Sequence, residues 1–205
     1  MPPRAAPVTL NTTGAPDTPG RQGVDILDHA LEEPYWLDDL DLAWRQLARE
    51  WAPIGCLIEA NPITVGGARG MAQLWKHPVP GQDHGLVYGV SVFLAKTAQT
   101  AIITYFTDER LLGTTGIRES VVACKDPAMM QALLDDNRPH PYDPELRGLL
   151  AYNCSDGEVW DEQFPGHPLT RTRAWLRDLD RIVTVDPAFA ALPDFRGTTR
   201  QVKGR

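Results

Sequence analysis

No run of apolar residues approaches the roughly 18 that a membrane-spanning helix needs, so no span is expected. The opening stretch MPPRAAPVTLNTTGAPDTPG lacks the apolar centre of a secretory signal, and on that ground a cytoplasmic protein is expected. Cysteine is scarce: Cys56, Cys124 and Cys154 are three in number and form no Cys-x-x-Cys pair, which argues against a disulfide framework. The histidines His29, His77, His84, His140 and His167 contain no His-x-x-x-His spacing, so no zinc-protease helix is present. No metal and no cofactor are expected. Positive charge is also short, with 20 Lys plus Arg against 27 Asp plus Glu and a net charge of −7. A nucleic-acid binder needs a basic face to neutralise phosphates, so that class is disfavoured. The single glycine cluster, Gly66-Gly67-Ala68-Arg69-Gly70, precedes a strand pattern and no Lys-Ser or Lys-Thr follows it. It reads as a hairpin turn rather than a phosphate loop.

What is present suits one globular domain. The chain has 205 residues, 42% of them hydrophobic and 23% charged. Residues 1–22, rich in Pro, Gly, Thr and Ala, read as a disordered tail with Val8–Leu10 as a short strand. Residues 23–195 read as a single α+β domain and 196–205 as a basic frayed end. Charge is segregated: residues 24–50 carry −6, residues 125–170 carry −6 and residues 171–205 carry +4. Oppositely charged segments can face each other or steer a partner.

Residues 24–32 read as a short helix before Pro34. Leu37, Leu40, Trp44, Leu47 and Trp51 recur at steps of three and four and predict an amphipathic helix over 37–51. Residues 54–107 then turn to strand composition. Cys56–Ala60, Pro62–Val65, Met71–His77, Leu86–Ala95 and Gln99–Thr107 read as strands joined by short loops, which implies an antiparallel meander. Leu86–Ala95 is apolar on both faces, as a strand covered on two sides should be. Helical periods return after Gly116 and over 126–134, and 136–157 reads as a long polar loop. Pro168 opens a last long helix to about 179 with Arg171, Arg173, Arg177 and Arg181 on its outer side. Ile182–Val185 and Asp186-Pro187 follow as a strand and a capped turn. The expected architecture is an antiparallel β-sheet with one face covered by the 37–51 and 168–179 helices. Trp44, Leu47, Val90, Val92, Ile103 and Leu176 are expected to share one core cluster.

No catalytic constellation stands out. Cys56 and Cys124 sit in apolar segments and read as small core residues. An enzymatic reading would place the site in the polar 136–167 region, with Cys154, His167 and Asp161 as its candidate groups. The acids Asp156, Glu158 and Glu162, and the pair His140 with Asp143, read as solvated surface groups. A binding reading rests on Arg171, Arg173 and Arg177 along one helix side and on Trp160, an aromatic not clearly internal. The preferred partner is a protein or a peptide.

The turn Val65–Gly70, the strand Met71–His77, the paired strands Leu86–Ala95 and Gln99–Thr107 and the helix after Thr115 together resemble the PsbP-like fold superfamily. That superfamily includes bacterial DcrB-type proteins and the Eag chaperones of type VI secretion. The resemblance covers about residues 54–124. It implies an antiparallel sheet packed by helices, and a binding, assembly or chaperone-like accessory role without catalysis. It implies no site residues. The chain departs from the family in its N-terminal half, where a strong helix replaces an opening strand hairpin. It departs again in an extension over 136–195 that carries DEQFPGHPL at 161–169.

Overall fold

The computed structural model describes residues 7–10, 20–29, 39–125 and 139–195. The expected helix over 126–134, the Cys124 side chain and the 196–205 end lie outside the described residues. The fold is α+β, with an antiparallel sheet. Among the described residues no helix is long and apolar enough to cross a membrane.

Five strands form the main sheet in the order β2-β6-β5-β4-β3. They are β2 (Arg21–Leu27), β3 (Cys56–Val65), β4 (Ala68–Pro78), β5 (Leu86–Ala95) and β6 (Thr100–Asp108). From β3 to β6 the chain is a meander of hairpins, as the short loops require. The first of them turns at Gly66 and Gly67, whose φ angles of 52° and 80° belong to the left-handed region that hairpin turns use. β2 returns to pair with β6, Arg21 opposite Phe106 and Leu27 opposite Thr100. Over residues 24–27 the expected helix of 24–32 is therefore a strand, and residues 30–32 lie outside the described residues. Val24 and Ile26 sit opposite Ile103 and Ala101 while Asp25 points away, so strand alternation wins once β6 supplies a partner. The expected tail also contributes structure: Arg21 and Gln22 belong to β2, and β1 (Val8–Leu10) pairs antiparallel with β7 (Val183–Val185).

Helix α1 (Leu40–Trp51) begins after Asp39, whose carboxylate accepts the Leu42 N–H, so it starts three residues later than its apolar stripe suggests. Short helices α2 (Glu109–Leu112) and α3 (Ile117–Lys125) follow the sheet. After 3-10 turns at Cys154–Asp156 and Glu158–Trp160 come α4 (Pro168–Arg177), α5 (Leu179–Ile182) and α6 (Pro187–Ala190). The expected Pro168 start and the Asp186-Pro187 cap are both observed.

The two long helices lie on opposite faces of the sheet, which corrects the expectation that they share one. Ala72, Leu74, Val90, Val92 and Ile103 pack with Leu169, Trp175 and Leu179 from the α4–α5 side, and Leu176 joins them. Leu57, Ala60 and Met71 point the other way and pack with Ala43, Leu47 and Ala48 of α1, with Trp44 at the margin. The single cluster expected around Trp44 and Leu176 is therefore two clusters. Strands β4 and β5 are apolar on alternate residues of both faces, so each face demands its own cover. A bulge between Leu57 and Glu59 shifts the β3 register and turns both Ile58 and Glu59 toward α4.

The outer edge of β3 is not left open. Trp44 Nε1 donates to the Ala60 carbonyl at 2.6 Å, Tyr142 Oη accepts from the Ala60 N–H at 3.1 Å, and His140 Nε2 meets the Leu57 carbonyl at 2.9 Å. Tyr142 stacks on Trp44. The Tyr142 N–H donates to His140 Nδ1, so Nδ1 is the acceptor and Nε2 carries the proton toward Leu57. Both ring nitrogens are satisfied only in the neutral imidazole. Burial holds the His140 pKa below its ordinary value, against an upward pull from the Leu57 carbonyl and Asp143. Because the unfolded chain binds the proton more readily, stability is full above about pH 6.5 and falls as pH drops below it. Urea titrations between pH 7.5 and 5.5 should show this loss, and His140→Gln should flatten the slope in that window.

Candidate functional site

Two regions hold the groups from which chemistry or recognition could be built. The first is a buried ionic layer between the sheet and the 154–173 segment. Arg118 of α3 is fully buried. Its Nη1 donates to Asp161 Oδ1 and to Thr170 Oγ1, each at 2.9 Å, while Nε and Nη2 donate to the Ser155 and Gly157 carbonyls. Arg173 of α4 shares Asp161 Oδ1 at 2.9 Å and also bonds Glu59 of β3 and the Asp156 carbonyl. Lys76 of β4 donates to Asp156 Oδ2 at 2.6 Å, in a pair where both side chains are at most 1% exposed. His167, the N-cap of α4, meets Glu109 Oε1 at 3.3 Å through Nε2. Tyr88 Oη donates to Glu119 Oε1.

This layer consumes the groups that an enzymatic reading would use. Asp161 is held by Arg118, Thr170 and Arg173, and His167 by Glu109 and the Leu169 N–H. Cys154 sits half-buried in its 3-10 turn, and its thiol bonds to neither group. Burial pushes the Cys56 thiol up to about 12, against the pull of Lys76, so it is held as a thiol and not as a thiolate nucleophile. Ligand atoms of Glu109, Glu119 and His167 lie within 4.8 Å of one another, the spacing a metal would need. The Leu169 N–H, however, donates to His167 Nδ1, so a neutral ring carries its proton on Nε2 and presents no lone pair there.

The sequence-based binding set does not form one surface. Arg173 is 4% exposed and turned inward, which corrects its placement on the outer side of the helix. The cause is the bulge that brings Glu59 beneath α4, together with Asp161 beside it. Arg177 is exposed and pairs with Glu158 at 3.0 Å, Arg171 is half-buried, and Trp160 lies half-buried in the second 3-10 turn.

The second region is a cleft of about 710 Å³ on the α1 side of the sheet, beyond the strands that α1 covers. Trp75, Gly89, Phe106 and Arg21 lie in one cross-strand row from β4 to β2. Trp75 is sandwiched between Trp51 and His77, at ring-centroid distances of 5.0 and 5.2 Å, and its Nε1 donates to Ser91. A Cβ on Gly89 would collide with the Trp75 ring, so the glycine is the dip that seats the indole. Val87, His77 and Leu111 complete the walls, and Leu111 is 68% exposed. Arg21, exposed at the rim, has no ion-pair partner among the described residues. A smaller hollow of about 60 Å³ is lined by Cys56, His140 and Tyr152.

Sequence reasoning missed this row. Trp75 falls inside the strand expected over Met71–His77, but its neighbours in the row become neighbours only through strand register. The inward face of Lys76 was legible, since period-two alternation places it with Ala72 and Leu74. No family model, no curated protein and no solved structure matches this chain.

Two measurements check the ionic layer. Asp161→Asn removes the charge that two buried guanidinium groups share and should cost about 3–5 kcal/mol in urea unfolding, whereas Arg177→Gln at the exposed pair should cost no more than about 1 kcal/mol. In the folded protein Cys56 should resist a thiol reagent that labels it fully once urea is added.

Proposed function

We propose that this chain is a non-catalytic accessory protein that binds an extended peptide segment of a partner in the Trp75–Phe106 cleft. The observation that carries the reading is the pairing of an apolar, aromatic-walled cleft with a polar region whose charged groups are engaged inside the fold. A volume of about 710 Å³ suits a few side chains of a bound segment. A peptide is favoured over a compact ligand because β2 is the last strand of the sheet and borders the cleft. No described strand hydrogen-bonds its outer edge. An added strand could satisfy that edge while alternate side chains reach the apolar wall. The exposed Arg21 favours a segment that carries negative charge. The reading agrees with what the PsbP-like resemblance of residues 54–124 implies, a binding or chaperone-like role, and with a cytoplasmic bacterial setting.

The test is a randomised decapeptide array probed with the whole chain, followed by titration of the best binders. Leu111→Lys is the variant of choice, since its side chain is largely in solvent and the change should leave folding intact. Binding should weaken at least about tenfold in this variant, with an unchanged melting temperature. If no array peptide binds, or if Leu111→Lys binds as wild type does, the cleft is not the docking site.

A further inference from the structure

One residue of β2 is not explained by the fold. Gly23 sits inside the strand, where glycine weakens pairing and leaves no side chain to pack. Three structural needs ordinarily account for such a glycine. A left-handed φ is the first, and Gly23 does not have it. A bulge is the second, but β2 faces β6 in unbroken register from Arg21 to Leu27. A neighbour that leaves no space is the third. A Cβ on Gly23 would meet only Thr104 Oγ1, at an ordinary 3.5 Å, whereas at Gly20 it would strike the Tyr105 ring. What remains is the close approach of a group from outside.

The positions on either side of this gap carry opposite charges. Period-two alternation puts Arg21, Gly23 and Asp25 on the cleft face of β2, since Arg21 shares the row of Trp75 and Phe106. Arg21 and Asp25 are exposed, and neither has an ion-pair partner among the described residues. Val24 and Ile26 turn the other way and pack with the cluster under α4. Thr104, opposite Gly23 in the register, lines the cleft, as Arg21 does. Along β2 the rim of the cleft is thus a positive charge, a notch and a negative charge. Beside it runs an outer edge to which no described strand bonds.

We infer that the bound segment lies antiparallel to β2 and carries the pattern basic-x-apolar-x-acidic, its apolar side chain seated in the Gly23 notch and its charges facing Asp25 and Arg21. The inference rests on the peptide-binding reading above and names the peptide that site selects. In an antiparallel pair, side chains directly opposite each other are in contact on one face. The acid then faces Arg21 and the base faces Asp25. Between them a large apolar residue leans over Gly23 toward Thr104 and Phe106 in the cleft. A segment with the charges exchanged sets like charges opposite each other at both ends, which is destabilising. The two charges therefore fix direction and register, and the notch supplies the apolar contact.

The probes are two end-blocked decapeptides, one centred on Lys-x-Phe-x-Glu and one on Glu-x-Phe-x-Lys, with uncharged residues elsewhere. Each is titrated into the whole chain. Single exposed pairs are weak, but exchanging the charges turns two attractions into two repulsions. The first peptide should therefore bind at least about fivefold more tightly in low salt, with the gap narrowing as salt is added. Arg21→Glu combined with Asp25→Lys should keep the melting temperature, both side chains being exposed, and should exchange the preference. Gly23→Val should also keep the melting temperature, since the Cβ has room and valine suits a strand, yet weaken the first peptide at least about tenfold. Equal binding of the two peptides, a preference that the double variant leaves in place, or wild-type affinity in Gly23→Val would overturn the inference. A preference for the second peptide in wild type would overturn it as well, because it would signify a parallel strand. Array peptides that bind, and are lost in Leu111→Lys, while neither designed peptide binds would leave the cleft reading standing and this inference refuted. If nothing binds at all, both fall.

Discussion

Asp161 carries two arginines on one oxygen. Arg118 reaches it from α3 and Arg173 from α4, and between them passes the turn that spans Ser155 to Gly157. Each guanidinium needs the same carboxylate, and neither can be returned to water without undoing the other. Taking such charges out of water is expensive, so the gain lies less in net stability than in allowing a single docked position. The C-terminal third of the chain is held on the sheet in that position. Leu169, Trp175 and Leu179 then fill the apolar face.

The clamp has a consequence for function. Residues 154–173 are rich in the side chains that catalysis favours, yet Asp156, Asp161, His167 and Arg173 turn inward to hold the layer together. The open surface lies on the opposite face, where α1 covers β3 and β4 but the strands toward β2 keep a concave, aromatic-walled cleft. Gly89 makes that surface possible, since any side chain there would displace Trp75. At the β2 end Gly20 lines the cleft beside the exposed Arg21, and on its other side it leaves no room for a side chain against Tyr105.

Much of the architecture was legible because it depends on local periods. The Leu40–Trp51 stripe, the Gly66-Gly67 turn, the hairpins from β3 to β6 and the Pro168 helix start are all written within a few residues of themselves. β2 was not legible as a strand, because VDIL satisfies helical and extended spacing alike and its partner β6 lies more than seventy residues away. The inward turn of Arg173 was hidden for a similar reason. Helical spacing puts it on the same broad side as Arg171 and Arg177, and only the β3 bulge places Glu59 beneath it.

By itself the sequence determined the α+β class, the meander, the positions of the two long helices along the chain and the lack of a familiar catalytic spacing. Tertiary structure alone decided that the helices take opposite faces, that the polar extension becomes a buried ionic layer, and that Trp75, Gly89, Phe106 and Arg21 form one row. The division follows from range. Hydrophobic periodicity and turn chemistry act between residues close in the chain. Charge pairing inside the fold and cross-strand register act between residues that only the folded chain makes neighbours.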